Sequence, residues 1–332
     1  MGSAVTSFVL NKLLAEISGE IEDQYLEKVQ QISAETFKFA FRGKKELLIQ
    51  PGARLNLTRY RIDAPQKPST LALILRKTLV NQKLAKIEQY DFDRVVTMHF
   101  QNHKFIIEFF GKGNMVLTDN DLKIIAVWRG EIWKDRALKR NETYQYPGQS
   151  GFSPIDVPFS VFETIFDKLD AVRSMALNLK LGGAYAEEIC NLAGVDKNTQ
   201  KPAKEQVIKL FEAMRALFAK PPQPCIQNNE VMPFPLGDMA IQKQFKTLNE
   251  AVDEFYLDES ISSAAVKDSR VEKLAHRLAE QQETLGRFAQ EIEENKQKGD
   301  LIYSNFANVQ EILGDKKTKR EKDGSIIVDL SD

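Results

Sequence analysis

The apolar positions Leu10, Leu13, Leu14 and Ile17 recur at three- and four-residue spacing. They place one stripe on a helix read over 10–32, with Ser18-Gly19 as a break. The period then changes to two. Phe37, Phe39 and Phe41 alternate with Lys38, Ala40 and Arg42, Gly43-Lys44-Lys45 turns the chain into 46–50, and Leu55 and Leu57 alternate with Arg54, Asn56 and Thr58. This pattern predicts an antiparallel meander with basic side chains on its open face. Ser69 is placed to cap a helix whose apolar face is Leu71, Ile74, Leu75 and Leu79, with Arg76, Lys77 and Lys83 on the polar side. Strands follow at 94–100, 104–110, 114–118 and 123–128, joined by short polar or glycine turns. Two meanders flanked by helices predict an α+β domain, a β-sandwich over 4–148.

Prolines and glycines at 147, 148, 151, 154 and 158 mark a linker, and a small all-helical domain is expected over 155–220. Within it Leu181-Gly182-Gly183-Ala184 and Ala193-Gly194-Val195 bracket two short helices. Two readings of that spacing stand side by side. One is a helix-hairpin-helix, whose glycine turn offers backbone N–H groups to a phosphate. The other is a plain helical hairpin using glycine as a cap. Five of the twelve prolines fall within 219–236, so 221–265 reads as an irregular connector. Val271, Leu274, Leu278, Leu285, Phe288 and Ile292 then fit heptad a and d positions, and the phase resumes at Ile302, Phe306, Val309 and Leu313. A coiled-coil helix over 266–313 would be roughly 70 Å long at about 1.5 Å per residue; the alternative folds back at Gly299. Residues 314–332 form a charged tail with a strand-like end at 326–330.

Composition narrows the chemistry. The 332 residues are 42% hydrophobic and 28% charged, an ordinary globular balance. No apolar run approaches the length of a membrane helix, and a cytoplasmic protein is expected. Two cysteines and three histidines exclude a disulfide framework and make no case for a four-ligand zinc site. The net charge of −1 hides a local excess: residues 35–90 hold twelve Lys and Arg against four Asp and Glu, or +8. Such a segment attracts polyanions, or is simply a solvated basic face.

In this succession of elements, the sequence resembles the NFACT family, which includes the NEMF and RqcH proteins and bears the older name fibronectin-binding A. The resemblance is carried by Thr6-Ser7-Phe8, Pro68-Ser69-Thr70, Asp93-Arg94-Val95, the run Gly113-Asn114-Met115-Val116-Leu117-Thr118-Asp119, Leu181-Gly182-Gly183-Ala184-Tyr185-Ala186, Leu248-Asn249-Glu250-Ala251-Val252-Asp253 and Lys298-Gly299-Asp300. It implies an N-terminal domain similar to that of formamidopyrimidine-DNA glycosylases, a helix-hairpin-helix domain and a long coiled coil. It also implies ribosome-associated quality control: binding of tRNA and of the stalled large ribosomal subunit, and support of untemplated C-terminal tailing. The family's functional aspartate-arginine pair falls on Asp93 and Arg94. Arg94 offers a planar fork to phosphate or a base edge, and Asp93 can accept from a base amine or hold the arginine. Arg54, Arg76, Lys77, Lys83, Lys112 and Asn114 are added as RNA contacts by charge and position. Val9 stands where the family carries an acidic residue. The resemblance stops before the returning half of the coiled coil and the NFACT-R domain, so the chain is expected to bind and position without completing the cycle.

No catalytic residue, metal or cofactor is expected. The similarity to glycosylases raises a DNA-binding glycosylase or AP-lyase as the alternative. The residues argue against it, because no proline precedes Pro51 to supply a nucleophilic amine and two cysteines cannot build a zinc finger. A scaffold acting only through its heptads would leave the basic segment without a role. For the heptads themselves, either a homodimer or a fold-back at Gly299 is expected, since an exposed apolar seam needs a partner.

Overall fold

A computed structural model describes residues 5–62, 68–133, 136–148, 151–314 and 326, without the side chains of 258–276 and 279. Lys67 and the strand-like residues 327–330 lie outside the described residues, as do the side chains of Val271 and Leu274. The chain divides into two units, 1–260 and 261–332.

In the first unit α1 (Ser7–Ile21) starts at Thr6, whose hydroxyl accepts from the Val9 N–H at 3.1 Å. The helix read to residue 32 stops at Ile21, where Asp23 takes a left-handed φ of 64° and the chain enters β1 (Leu26–Gln31). A bulge between Leu26 and Lys28 hides the alternation that would have marked this strand, and pairing with the next strand outweighs its polar, helix-compatible composition. β2 (Phe37–Phe41), β3 (Lys45–Gln50) and β4 (Arg54–Thr58) complete a four-stranded antiparallel meander in sequential order. After α2 (Thr70–Leu79), β5 (Leu84–Gln89), β6 (Val95–Phe100), β7 (His103–Glu108), β8 (Asn114–Asp119) and β9 (Ile124–Val127) form a second meander, with β5 as a strand the sequence pattern did not show. The two sheets share one apolar core with α1 and α2, and across it the Phe39 and Phe105 rings stack at 5.2 Å. The other face of the five-stranded sheet carries a smaller cluster around Ile106, Val116 and Tyr144, next to the short hairpin of β10 (Glu131–Ile132) and β11 (Ala137–Leu138).

The basic face predicted on the first meander is corrected by burial. Lys38 lies inside, donating to Glu46 at 3.0 Å and to the Ile62 carbonyl at 3.1 Å. Arg54 is also buried, 5.0 Å from the Tyr256 ring.

The helical part comprises α3 (Phe159–Phe162), a 3-10 turn at Glu163–Phe166, α4 (Ala171–Asn178), α5 (Gly183–Ala193) and α6 (Lys204–Ala219). Its core accepts one residue from α1. Phe8 stacks on Tyr185 at 4.3 Å and meets Phe92, Phe218 and Phe234. Residues 221–265 are not the irregular connector expected. β12 (Cys225–Gln227), β13 (Glu230–Met232) and β14 (Ile241–Gln244) pair in the order β13-β12-β14, and α7 (Leu248–Ser304) has already begun. The prolines flank these short strands instead of interrupting them.

The first turns of α7 read the edge of β4. Glu16 accepts from the Leu248 and Asn249 N–H groups at 2.9 Å each, using the anion preference of a helix N-terminus. Asn249 brackets Leu57, accepting from its N–H at 2.7 Å and donating to its carbonyl at 2.8 Å. Asp253 accepts from the Asn56 amide at 2.9 Å and the Arg59 N–H at 3.1 Å. An edge strand is thereby satisfied by side chains.

In the second unit α7 continues through Gly299 to Ser304, and α8 (Phe306–Gly314) follows after one turn residue. The hairpin alternative at 296–300 is therefore not adopted. Leu278, Leu285, Phe288 and Ile292 are exposed.

Candidate nucleic-acid interface

Asp93 and Arg94 sit in the turn between β5 and β6. That turn is unusual in its backbone: Asp91 and Phe92 both take positive φ, 43° and 52°. Phe92 is driven inward by its apolar ring, 3% exposed, and anchors the turn among the aromatic residues around Phe8. Asp93 Oδ1 accepts from the Arg94 N–H at 2.7 Å, while the amide of Gln89 donates at 2.9 Å both to the Asp93 carbonyl and to the Ser7 carbonyl. From the other side Lys180, in the turn between α4 and α5, donates to Asp91 Oδ2 at 2.7 Å and to the Asp91 carbonyl at 3.2 Å; its Nζ is 3.8 Å from Asp93 Oδ2. The aspartate is held on three sides. Among the described residues, the Arg94 guanidinium has no ion pair or hydrogen bond, so it is available to an external acceptor.

The remaining sequence-derived contacts divide. Lys77 and Lys112 are exposed, with no ion pair among the described residues. Arg76 donates through Nε to the Val29 carbonyl at 2.7 Å, and Lys83 pairs with Asp23 at 2.8 Å. Arg54 is 9% exposed and Asn114 is 1% exposed, so neither presents a surface. Asn114 is a latch: its Oδ1 accepts from the Met115 and Arg129 N–H groups, and its amide donates to the Arg129 carbonyl at 2.8 Å. Contacts bring the Lys112 carbonyl, Asn114 and Arg129 together, whereas Arg76, Lys77 and Lys83 belong to α2 and the approach to β5.

The +8 segment is also less open than its count suggests. Lys38 pairs with Glu46, Arg42 with Glu27, Lys45 with Glu20, Arg59 with Glu250 and Glu254, Lys83 with Asp23 and Lys86 with Glu88. Most of these acids come from outside 35–90. Sequence reasoning missed Lys180, although it adjoins the Leu181-Gly182-Gly183 string. It also missed the buried group of Glu108, Arg136 and Tyr144. There Tyr144 donates to Glu108 at 2.8 Å and Arg136 pairs with the same oxygen, while burial pushes the Glu108 carboxyl up.

Nothing in the site has the makings of a metal centre, since no three His, Cys, Asp or Glu side chains cluster among the described residues. His99 contacts Glu88 at 2.8 Å and His103 contacts Gln82 at 2.9 Å. Cys190 and Cys225 are buried free thiols, the first pushed up to about 11 by burial. No described helix is long and apolar enough to cross a membrane.

The family described as NFACT N-terminal and middle domains matches residues 6–328. Among curated relatives, the chain is similar to the archaeal Rqc2 homolog aRqcH of Methanocaldococcus jannaschii, 36% identical across 84% of this chain and 46% of the relative. It is 24% identical to the Rqc2 homolog RqcH of Streptococcus pneumoniae, across 89% of this chain and 57% of that one. The chain thus spans about half the length of these relatives. Among solved structures, the N-terminal part of the fibronectin/fibrinogen-binding protein from Streptococcus suis superposes with a TM-score of 0.66 at 22% identity, covering 76% of this chain and 98% of that one. The fibrinogen binding protein from Staphylococcus aureus gives 0.62 at 20%, with the same coverage. At these identities the two structures show a shared fold.

Proposed function

The chain belongs to the NFACT family, and from that premise we propose that it is the RNA-binding part of a ribosome quality-control factor, engaging tRNA and the stalled large ribosomal subunit without a catalytic step of its own. The quality-control role is supported by relatives named Rqc2 homologs together with a relative from Mus musculus, 24% identical, named ribosome quality control complex subunit NEMF. The observation that carries the RNA reading is the Asp93-Arg94 turn. Its backbone is fixed by Phe92, Gln89 and Lys180, while its guanidinium is left without a partner among the described residues. The fixed backbone removes part of the ordering cost of binding, and the planar cation it carries suits a phosphate or an exposed base edge. In this reading 4–148 is the glycosylase-like sandwich, 155–220 with its Gly182-Gly183 turn is the helix-hairpin-helix domain, and the helix that follows is one arm of a coiled coil. Supporting tailing of the nascent chain and a cytoplasmic location follow from the same reading.

The test is tRNA binding at two salt concentrations, with duplex DNA as competitor, for the parent and Arg94→Ala. Selective tRNA binding that weakens on substitution supports the proposal. Equal competition by duplex DNA with no effect of the substitution overturns it.

A further inference from the structure

Three aromatic rings from three separate elements close a triangle behind the Asp93-Arg94 turn. Phe8 comes from the start of α1, Phe92 from the turn itself and Phe218 from the last turn of α6. The ring centroids are 4.7 Å apart for Phe8 and Phe218, 5.6 Å for Phe92 and Phe218 and 6.3 Å for Phe8 and Phe92. All three spacings lie where tilted and edge-to-face rings attract.

The end of α6 is itself fixed to α1. The Phe218 carbonyl, one of those that a helix C-terminus leaves without an intrahelical donor, accepts from the Lys12 ammonium at 2.6 Å across 206 positions of sequence. A cation at that end also complements the helix dipole. Phe218 therefore has its backbone held by α1 and its ring set between α1 and the turn.

What this ring supports is a costly backbone. Asp91 and Phe92 are consecutive non-glycine residues at φ 43° and 52°, a region such residues keep only where their surroundings over-determine it. On the polar side Gln89 and Lys180 supply hydrogen bonds. On the apolar side the anchor is the Phe92 ring, 3% exposed, and the rings it meets are Phe8 and Phe218. Without the Phe218 ring one wall of that anchor is gone, the turn is free to relax toward negative φ, and Arg94, two residues on, leaves its place.

We propose that Phe218 is a positioning residue for Arg94: the end of α6 holds the Phe92 ring against Phe8 and so selects the one backbone arrangement in which the arginine is presented. The inference rests on the tRNA reading above. It makes docking of the end of α6 a condition of RNA binding, so that displacing this helix end lowers tRNA affinity without any contact between Phe218 and the RNA.

The experiment measures tRNA affinity of the full chain for the parent, Phe218→Ala, Arg94→Ala and the double variant, with Phe218→Leu and Val207→Ala alongside. Phe218→Ala should bind about fivefold more weakly, within the range for coupled residues that touch neither ligand. In the Arg94→Ala background it should cause no further loss, because Phe218 acts through that arginine. Phe218→Leu, which keeps much of the apolar volume, should recover part of the affinity. Val207→Ala, buried near the start of α6, should bind as the parent does and so controls for a general loss of stability. Hydrogen exchange supplies a readout without RNA. The Asp93 and Arg94 amides donate to the Tyr90 carbonyl and to Asp93 Oδ1 at 2.7 Å each, and both should exchange faster in Phe218→Leu than in the parent or Val207→Ala. Phe218→Leu carries both measurements should Phe218→Ala fail to fold. An additive loss in the double variant, an equal loss in Val207→Ala, or unchanged affinity and exchange in the Phe218 variants overturns the proposal. Binding of tRNA that depends on Arg94 but not on Phe218 removes this inference alone, whereas binding indifferent to Arg94 removes the reading on which it rests.

Discussion

Lys180 donates to the carboxylate of Asp91 at 2.7 Å although the two residues are 89 positions apart. The same ammonium stands 3.8 Å from Asp93, so the turn carrying Arg94 is tied to the helical part of the unit by one nearly buried lysine. Lys180→Met leaves the Asp91 carboxylate and carbonyl without their donor. Hydrogen bonds to charged groups contribute about 1.5–3 kcal/mol, and urea unfolding should show a loss in that range. Lys180→Arg should recover part of it. The tRNA affinity of Lys180→Met should fall severalfold under conditions where the variant is folded, because the geometry of Arg94 is loosened; an unchanged affinity would show that the turn is rigid without Lys180.

Salt dependence separates the free cations from the paired ones. Each phosphate contact removed lowers the slope of log affinity against log salt by about one. Lys112→Ala and Lys77→Ala should each lower the tRNA slope toward that extent. Lys83→Ala should leave it unchanged, because Lys83 is paired with Asp23. A loss of slope for Lys83→Ala equal to that for Lys112→Ala would mean that the ion pair opens on binding.

Asn114 is expected to matter for folding and not for RNA. Its Oδ1 accepts two backbone N–H groups and its amide serves the Arg129 carbonyl, all at a position 1% exposed. Asn114→Ala leaves buried backbone groups unpaired, each costing about 1–3 kcal/mol. Thermal unfolding should show a marked drop, whereas Arg94→Ala should unfold at the parent temperature. tRNA binding of folded Asn114→Ala should match the parent.

What was legible in the sequence follows from the range of the interaction. The alternation of Phe37, Phe39 and Phe41 is a local signal, and all three are fully buried in β2. β1 was lost because its bulge breaks the alternation and its partner, not its own residues, makes it a strand. The charge count of 35–90 could not foresee that Asp23, Glu20, Glu27, Glu250 and Glu254 come from elsewhere to neutralise it. The Asp93-Arg94 pair was found by resemblance, but the residue that holds it lies in a different part of the unit. Burial of Lys38, Arg54 and Asn114 was likewise invisible, since a polar side chain is predicted outside unless its partner is known.

Acid should weaken the junction between α7 and the first meander. Tyr60 donates a hydrogen bond to Glu254, and Lys243 and Arg59 each approach it at 3.1 Å. These partners, Tyr60 foremost, hold the Glu254 carboxyl at about 2. Since the folded value lies below the usual value of about 4.3 for glutamate, the ionised form favours the folded state at neutral pH. That contribution is present above the unfolded-state value and is lost as pH falls through the folded one. The stability difference between the parent and Glu254→Gln, measured by urea unfolding, should therefore be largest above pH 5 and shrink toward pH 2. A gap that stays constant over this range would mean that the Glu254 contacts contribute through shape and not through charge.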